Sequence, residues 1–416
     1  MKKFEKILLF GILALILGAF AGAIVWLVLK VMSLGIDLLW TVLPRALCFG
    51  NSLIYSLSVC LIGGLIIGLW QRKFGLLPEE LTEVMGRIKK EGTYPYNNLH
   101  IVAVSALLPL IFGGALGPEA GLTGLIVGLC CFVGDRLKYK GAEVAALMEA
   151  GMAATLGVIF GAPLFGIVSN IEPDNKKEHY GKKLASKKTR IFLYVMAVVG
   201  GMLAMGGLTD LLGGGMGLPR FDAHHGMGFA QWKWFIPLLV AGVLFGLLYL
   251  VIHKITGIIG EKLLKYRVIS CMLAGAAVGT IGYFLPLTMF SGEHEMGDLM
   301  NDWQSYSVVI LIISAIGKLF LVNFCVDLGW RGGNIFPIIF AGVTIGYVMA
   351  AIVGMDGSFA VAVTAAALYA YIMRKPLTVV AVLLLCFPLT YILPLTITAV
   401  VASKIPVPKI IAPEED

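Results

Sequence analysis

The sequence predicts an all-α membrane protein that enters the bilayer many times, with several helices broken or re-entrant. The chain of 416 residues is 59% hydrophobic and only 14% charged, a composition outside the range of soluble domains with a single core. Many of its apolar stretches are long enough to enter a bilayer, but several are too short to cross it alone. Short apolar segments that end at Gly or Pro are tolerated at membrane depth only where their backbone is buried in protein or lines a cavity.

These apolar stretches follow one another through the chain. In order, they span residues 7–29, 51–70, 99–117, 120–137, 144–169, 191–212, 233–252, 268–290, 305–325, 335–354, 359–373 and 376–402. The first runs on to Lys30 without a small-residue cleavage site, so we interpret it as a retained helix and not as a signal peptide. The 51 glycines of the chain supply small residues that let membrane helices pack closely.

Basic residues orient the chain, because Lys and Arg in short loops stay on the cytoplasmic side. The stretch 172–190 is rich in Lys, whereas the stretch 291–302 is acidic. We therefore expect an integral, multi-pass protein with both termini and the stretch 172–190 in the cytoplasm. The net charge of +7 reflects this topology and contact with anionic membrane lipid, and nothing in it indicates a nucleic-acid partner.

An internal repeat divides the chain. Pro118 is followed 45 positions later by Pro163, and Pro337 is followed 39 positions later by Pro376. Paired helix breaks in two halves are typical of transporters built from repeats, whose binding site lies at the repeat interface. We predict a first repeat over 1–171, a basic cytoplasmic linker over 172–190 and a second repeat over 191–416, within a single membrane domain over 1–416. The pattern leaves open whether the repeats are parallel or inverted.

Glu119 is the only charged residue between Ile101 and Gly134. A lone carboxylate in an apolar span is costly to ionise and usually faces a polar pathway. Because Gly117 and Pro118 end one helix and open the next, Glu119 is predicted to lie at a helix N-terminus. The N–H groups and partial positive charge there favour an anion, and a carboxylate can itself occupy that site. The alternative is a glutamate in an interfacial loop.

A second helix break is predicted at 332–337, which reads Gly-Gly-Asn-Ile-Phe-Pro. Its glycines let backbone segments approach closely, and Pro337 fits the first turn of a helix. The amides of Asn334, Ile335 and Phe336 are predicted to point at an anion, and Gly333 is predicted to be an anion-binding position with them. Backbone amides hold an anion less tightly than a basic side chain would, which suits throughput. The Asn334 side chain has two interpretations, as a donor to the anion or as a helix cap.

Other polar residues within apolar stretches are expected to be structural. Lys318 and Asp327 share one stretch, and we expect that they could pair. The seven cysteines show no metal-ligand spacing, so neither a metal site nor a cofactor is expected.

The order and spacing of the helix breaks resemble those of the CLC family of chloride channels and proton-coupled chloride antiporters over nearly the whole chain. The Gly-Arg/Lys-Glu-Gly-Pro segment of that family, which bears a gating glutamate, is similar to 117–121. The resemblance implies that Glu119 is the gating residue. It also implies that the anion-binding positions around it are Gly117, Pro118, Ala120 and Gly121. Further family segments resemble 161–167, 333–337, 374–378 and 392–394.

The resemblance implies a short bacterial-type member without cytoplasmic nucleotide-binding domains. It further implies an inverted repeat of broken and re-entrant helices, a homodimer with one pore in each subunit, and a bacterial inner membrane as the location. Chloride or another small anion, protons and membrane lipid are the implied ligands and partners.

Three departures from the family pattern concern the anion site and the proton route. Gly75 stands where the family has a serine whose hydroxyl contacts the central anion. We expect no counterpart of the C-terminal helix whose tyrosine completes that site. Where the family's antiporters have a pair of acidic residues, this chain has Glu172 and Pro173. Since Pro cannot carry a proton, only Glu172 could serve as the inner proton relay.

We therefore expect transmembrane anion transport through a pore gated by Glu119, with a passive channel favoured and a proton-coupled anion antiporter as the alternative. A more remote alternative is an intramembrane hydrolase that uses Glu119 or the pair His294 and Glu295. The sequence argues against an enzyme, because it contains neither Gly-x-Ser-x-Gly nor His-Glu-x-x-His.

Overall fold

The computed structural model describes residues 3–48, 52–80, 83–84, 87, 94–136, 142–159, 163–168, 187–214, 219–221 and 229–411. Within these residues every regular element is a helix, so the predicted all-α class is confirmed. The predicted linker 172–190 lies outside the described residues up to position 186. Glu172 and Pro173 therefore lie outside them as well.

The helices used below follow the chain in order. They are α1 (Lys3–Asp37), α2 (Leu53–Phe74), α3 (Leu99–Ile111), α4 (Glu119–Arg136), α5 (Ala142–Ile159), α6 (Pro163–Val168), α7 (Lys187–Leu212), α8 (Phe235–Leu263), α9 (Arg267–Phe284), α10 (Glu293–Asp302), α11 (Val308–Asp327), α12 (Ile335–Val353), α13 (Gly357–Met373), α14 (Pro376–Cys386) and α15 (Ile392–Lys404).

Six helical spans of the described chain are long and apolar enough to cross a membrane, by length and composition. They are Leu8–Ala46, Leu53–Phe74, Lys188–Leu212, Phe235–Phe284, Val308–Asp327 and Ile335–Val353. Other apolar helices have only 10–17 residues, which is shorter than the thickness of a bilayer requires. They are Leu99–Ile111, Glu119–Val133, Glu149–Ile159, Gly357–Met373 and Leu389–Lys404. The stretch predicted over 376–402 is two helices, because Phe387 precedes Pro388 and is extended (φ −116°, ψ 140°), the conformation that a following proline favours.

The chain forms two compact units, each built from several separate segments. Unit 1 comprises Met1–Gly35, Leu77–Leu107 and Pro118–Gly217. Unit 2 comprises Ile36–Leu76, Leu108–Gly117 and Leu218–Asp416. The chain therefore passes from unit 2 to unit 1 between Gly117 and Pro118, in the middle of the predicted gating segment.

In unit 1, glycines bring α1 and α7 into backbone contact. A Cβ atom added to Gly18 would lie 1.9 Å from the carbonyl oxygen of Ala197, and one added to Gly22 would lie 2.2 Å from that of Gly201. Small residues at such positions let membrane helices approach closely enough for dispersion contacts between backbones. Larger side chains at these two positions of α1 would force the helices apart.

In unit 2, α2 and α9 also pack through glycines, and each helix contributes one. A Cβ atom on Gly64 of α2 would lie 2.4 Å from the carbonyl oxygen of Cys271, and one on Gly275 of α9 would lie 2.2 Å from that of Cys60. Each helix thus presents a glycine to the backbone of the other. The relative position of α2 and α9 is fixed by this contact.

The core of unit 2 is formed by α12 and α13, which are apolar on all sides. In α12, every residue from Ile335 to Val348 is buried, as expected for a helix that is hydrophobic around its whole circumference. Gly346 would place a Cβ atom 2.4 Å from the Cα of Val361. Helix α12, whose first amides are predicted to bind an anion, is therefore held rigidly by α13.

The predicted pair between Lys318 and Asp327 is wrong. The Lys318 ammonium is fully buried and donates hydrogen bonds to the carbonyl oxygens of Met289 (2.6 Å) and Phe290 (2.8 Å). Asp327 accepts a hydrogen bond from the hydroxyl of Thr256. Both residues lie on α11, where nine positions correspond to about 13 Å along the axis, so each finds a partner on another segment.

Gln71, in the last turn of α2, joins three parts of unit 2. Its carbonyl oxygen accepts hydrogen bonds from the amide of Gly75 (2.9 Å) and from the guanidinium of Arg267 (2.7 Å). Its side-chain amide donates to the carbonyl of Gly329, in the turn after α11 where the backbone has φ +103°. Gln71 itself is 1% exposed. Through its backbone carbonyl and its side-chain amide, this one buried residue therefore connects the end of α2, the start of α9 and the turn that leads to the second helix break.

Replacing Gln71 by Leu should destabilise the protein. The carbonyl of Gly329 would lose the donor that now satisfies it, and leaving a buried polar group unsatisfied costs about 1–3 kcal/mol. The measurement is the free energy of unfolding of the purified protein in mixed micelles. Gln304→Leu, at an exposed glutamine, is the matched control and should leave that free energy unchanged. Equal unfolding free energies for the two variants would contradict the role of Gln71.

Candidate functional site

Glu119 is the first residue of α4, as the sequence predicts, and does not lie in a loop. Its side chain is 1% exposed in unit 1. The first turn of α4 closes through a hydrogen bond from the amide of Leu122 to the carbonyl of Pro118 (3.1 Å). A buried carboxylate therefore lies at the positive end of a helix dipole, which stabilises negative charge.

Small residues after Glu119 hold the start of α4 against α3. Ala120 is 2% exposed, and a Cβ atom on Gly121 would lie 2.2 Å from the Cβ of Ala106. One turn later, the hydroxyl of Thr123 donates to the carbonyl of Glu119 (2.7 Å). The backbone that carries Glu119 is thus packed tightly within unit 1.

In unit 2, Gly117 and Gly333 form an isolated antiparallel pair. The amide of Gly117 donates to the carbonyl of Gly333 (2.8 Å), and the amide of Gly333 donates back to that of Gly117 (2.7 Å). A Cβ atom on Gly332 would lie 2.8 Å from the Cβ of Leu116. Glycine at 332 is therefore required by the close approach of the two backbone segments.

Asn334 directly precedes α12, but its side chain does not cap the helix. Its amide nitrogen donates to the phenolic oxygen of Tyr249 (3.1 Å), a residue of α8 that is 5% exposed. The helix-cap interpretation of Asn334 is thus wrong. Ile335 and Phe336, which open α12, are buried, so this helix begins inside unit 2 and not at its surface.

Gly75 ends α2 in a backbone conformation that other residues rarely adopt. Its φ of +93° and ψ of −179° lie in a region that is essentially restricted to glycine. A Cβ atom at this position would meet nothing within 4 Å, so space is available. The backbone conformation, and not crowding, therefore keeps a serine from this position.

Trp330 supports the second helix break from behind. It is fully buried, and its indole N–H donates to the carbonyl of Cys271 in α9 (2.9 Å). A Cβ atom on Gly114 would lie 3.0 Å from the Trp330 ring. The segment that leads to Gly117 thus packs on a side chain that lies three residues before Gly333.

Sequence reasoning did not find Gln71, Tyr249 and Trp330. Each is a polar or amphipathic side chain within or beside an apolar stretch, and such groups need a hydrogen-bond partner when they are buried. That requirement could have indicated a structural role for each residue. The partner itself could not have been predicted from the sequence, because the partners lie 258, 85 and 59 residues away in the chain.

The pair His294 and Glu295, on which the hydrolase hypothesis relies, lies in the first turn of α10. Burial raises the pKa of the Glu295 carboxyl, and the nearby Lys318 ammonium opposes that rise. Among the residues that the structure describes, no group of three or more His, Cys, Asp or Glu side chains is arranged to hold a metal ion.

The chain is similar to solved structures of membrane transporters over almost its whole length. It superposes on a slow cyanobacterial Cl⁻/H⁺ antiporter with a TM-score of 0.79 and 17% identity, covering 95% of this chain and 93% of the antiporter. For a CLC-type fluoride/proton antiporter the TM-score is 0.78 at 17% identity, with 97% and 96% covered. At these identities the likeness concerns the fold, and it confirms the predicted CLC-like architecture of broken helices.

Sequence comparison extends the likeness to the family level. The ion-transport protein YfeO of Escherichia coli (strain SMS-3-5 / SECEC) is 25% identical over 369 residues, which cover 83% of this chain and 80% of that protein. The sequence pattern of the family described as voltage gated chloride channel matches residues 63–406. Because this match covers well over half of the chain, and the apolar helices agree with it, the protein is an integral membrane protein that belongs to the voltage-gated chloride channel (CLC) family.

Proposed function

We propose that the protein carries chloride or another small anion across the membrane, and that Glu119 is the gate. The observation that carries this proposal is the mutual hydrogen bonding of Gly117 and Gly333. Each of these glycines lies two residues before the first residue of a helix, α4 in one case and α12 in the other. Family membership supports transport as the activity, since the family consists of ion channels and transporters and not of enzymes.

Backbone amides hold the anion in this proposal. Those of Asn334, Ile335 and Phe336 open a helix whose dipole favours negative charge. The amides that follow Pro118, through Gly121, do the same at the start of α4. The Asn334 side chain donates one of its two N–H groups to Tyr249, and this bond orients the segment that carries the amides.

Glu119 competes with the anion for the positive end of α4. When ionised, the carboxylate occupies the pathway. When protonated, it loses its attraction for the helix dipole and leaves the pathway to the diffusible anion. Acid on the outer side should therefore open the pore.

A passive channel is favoured over exchange, because Pro173 replaces an acidic residue on the inner proton route and only Glu172 remains. The specific observation in favour of a proton-coupled antiporter is that both solved structures described above are antiporters. A homodimer with one pore in each subunit, in a bacterial inner membrane with cytoplasmic termini, completes the proposal.

Purified protein in liposomes should release chloride, and Glu119→Gln should release it faster with no dependence on external pH. Glutamine mimics the protonated carboxyl at nearly the same size, so the gate would stay open. Glu293→Gln is a matched control, because Glu293 is also the first residue of a helix and is 3% exposed. This control should keep the pH response of the wild type. Unchanged flux and pH dependence in Glu119→Gln would rule out the gating role.

Selectivity among anions should be weak. Gly75 supplies no hydroxyl to the anion, and a hydrogen bond to a charged group is worth about 1.5–3 kcal/mol, which corresponds to roughly tenfold or more in relative affinity. We expect bi-ionic potentials to show chloride, nitrate and thiocyanate permeabilities within about tenfold of one another. Sharp preference for one halide over nitrate or thiocyanate would show that side-chain ligands contribute.

Imposed chloride gradients should not drive sustained uphill proton movement into vesicles that contain the wild-type protein. A passive pore dissipates the chloride gradient without moving protons, whereas an exchanger uses the chloride gradient to move protons against the proton gradient. The measurement is the internal pH of vesicles under a chloride gradient, with protein-free vesicles as the control. Uphill proton movement that Glu119→Gln abolishes would establish the antiporter instead.

A further inference from the structure

A basic cavity of about 670 Å³ lies in unit 2 where α2 ends and α9 begins. Its lining residues are Arg72, Leu264, Lys265, Tyr266, Arg267, Val268 and Ile269. Three of them carry a positive charge, and among these lining residues none is acidic. A cavity of this size with three cations and no counter-ion within its lining is suited to an anionic group.

The three cations differ in exposure and in the contacts that they already make. Arg72 and Lys265 are exposed, and the Lys265 ammonium lies 5.1 Å from the ring centre of Tyr266. Arg267 is partly buried and is held by its hydrogen bond to the carbonyl of Gln71. A guanidinium has five N–H donors, so Arg267 can keep that bond and still bind phosphate oxygens in a bidentate manner.

We propose that this cavity binds the phosphate of an anionic lipid headgroup. It lies where membrane-crossing helices end, since Arg72 is in the last turn of α2 and Arg267 opens α9. Basic residues at such ends mark the cytoplasmic side, whose leaflet is rich in anionic lipid, and basic pockets between helices on that side bind lipid headgroups. The exposed apolar side chain of Ile269 provides a surface for the acyl chains. Free phosphate offers the same chemistry, and the experiment distinguishes the two sources.

Occupation of the cavity should also affect transport, an extension that rests on the proposed function. Arg267 and the amide of Gly75 share one acceptor, the carbonyl of Gln71. The Gln71 side chain in turn holds Gly329. Phosphate bound to Arg267 therefore restrains the two segments of unit 2 that lead into the proposed anion pathway.

The test compares two double variants that each remove two positive charges. Arg72→Gln with Lys265→Gln changes the cavity. Lys73→Gln with Lys262→Gln changes exposed neighbours that do not line it. Binding of short-chain phosphatidylglycerol to the purified full chain is measured, with short-chain phosphatidylcholine and inorganic phosphate as separate ligands. We expect the cavity variant to bind phosphatidylglycerol about tenfold or more weakly and the control variant to bind it as the wild type does.

Inorganic phosphate that binds as tightly as phosphatidylglycerol would support the phosphate site and identify free phosphate as its source. Equal phosphatidylglycerol binding by the two double variants, or equal binding of both lipids to the wild type, would overturn the proposal. In liposomes, the chloride efflux of the wild type should change at least twofold between neutral and phosphatidylglycerol-containing membranes, and that of the cavity variant should not. Because lipid binding is measured without transport, absence of any anion flux would refute the proposed function and leave the binding result to stand alone.

Discussion

Close approach of backbone to backbone is the constraint on which the rest of this structure depends. In lipid, every amide and carbonyl needs a partner inside the protein. Gly117 and Gly333 meet this requirement directly by bonding to each other, and Gly332 leaves room for Leu116 beside them. Two segments that are neither helix nor sheet can therefore pass through the interior of unit 2. An anion pathway built from backbone needs irregular segments of this kind.

The supporting contacts make that pair rigid. Trp330 fills the space behind Gly114 and bonds to α9, Gln71 ties the turn at Gly329 to the end of α2, and Tyr249 orients Asn334 from α8. None of these three side chains is charged. They support the paired segments through single hydrogen bonds and add no basic side chain that would hold an anion tightly.

Much of the fold could be predicted from the sequence, because its strongest constraints are local. Apolar length predicted helices, and Pro118 after a glycine predicted a helix start at Glu119. Contacts between distant residues could not be predicted. Lys318 binds carbonyls and not Asp327, and the Asn334 side chain bonds to a tyrosine 85 positions away. The restriction at Gly75 concerns a dihedral angle, which residue identity alone does not reveal.

The placement of Lys318 has a consequence for how the chain enters the membrane. A lysine at the centre of a helix raises the cost of inserting that helix into lipid by about 2.5–3.5 kcal/mol, so α11 is poorly suited to rest in the bilayer alone. Its acceptors, the carbonyls of Met289 and Phe290, are synthesised before it. Because synthesis starts at the N-terminus, the carbonyls that accept hydrogen bonds from Lys318 are already made when α11 leaves the ribosome. We therefore expect α11 to enter the membrane together with its docking on the preceding segment.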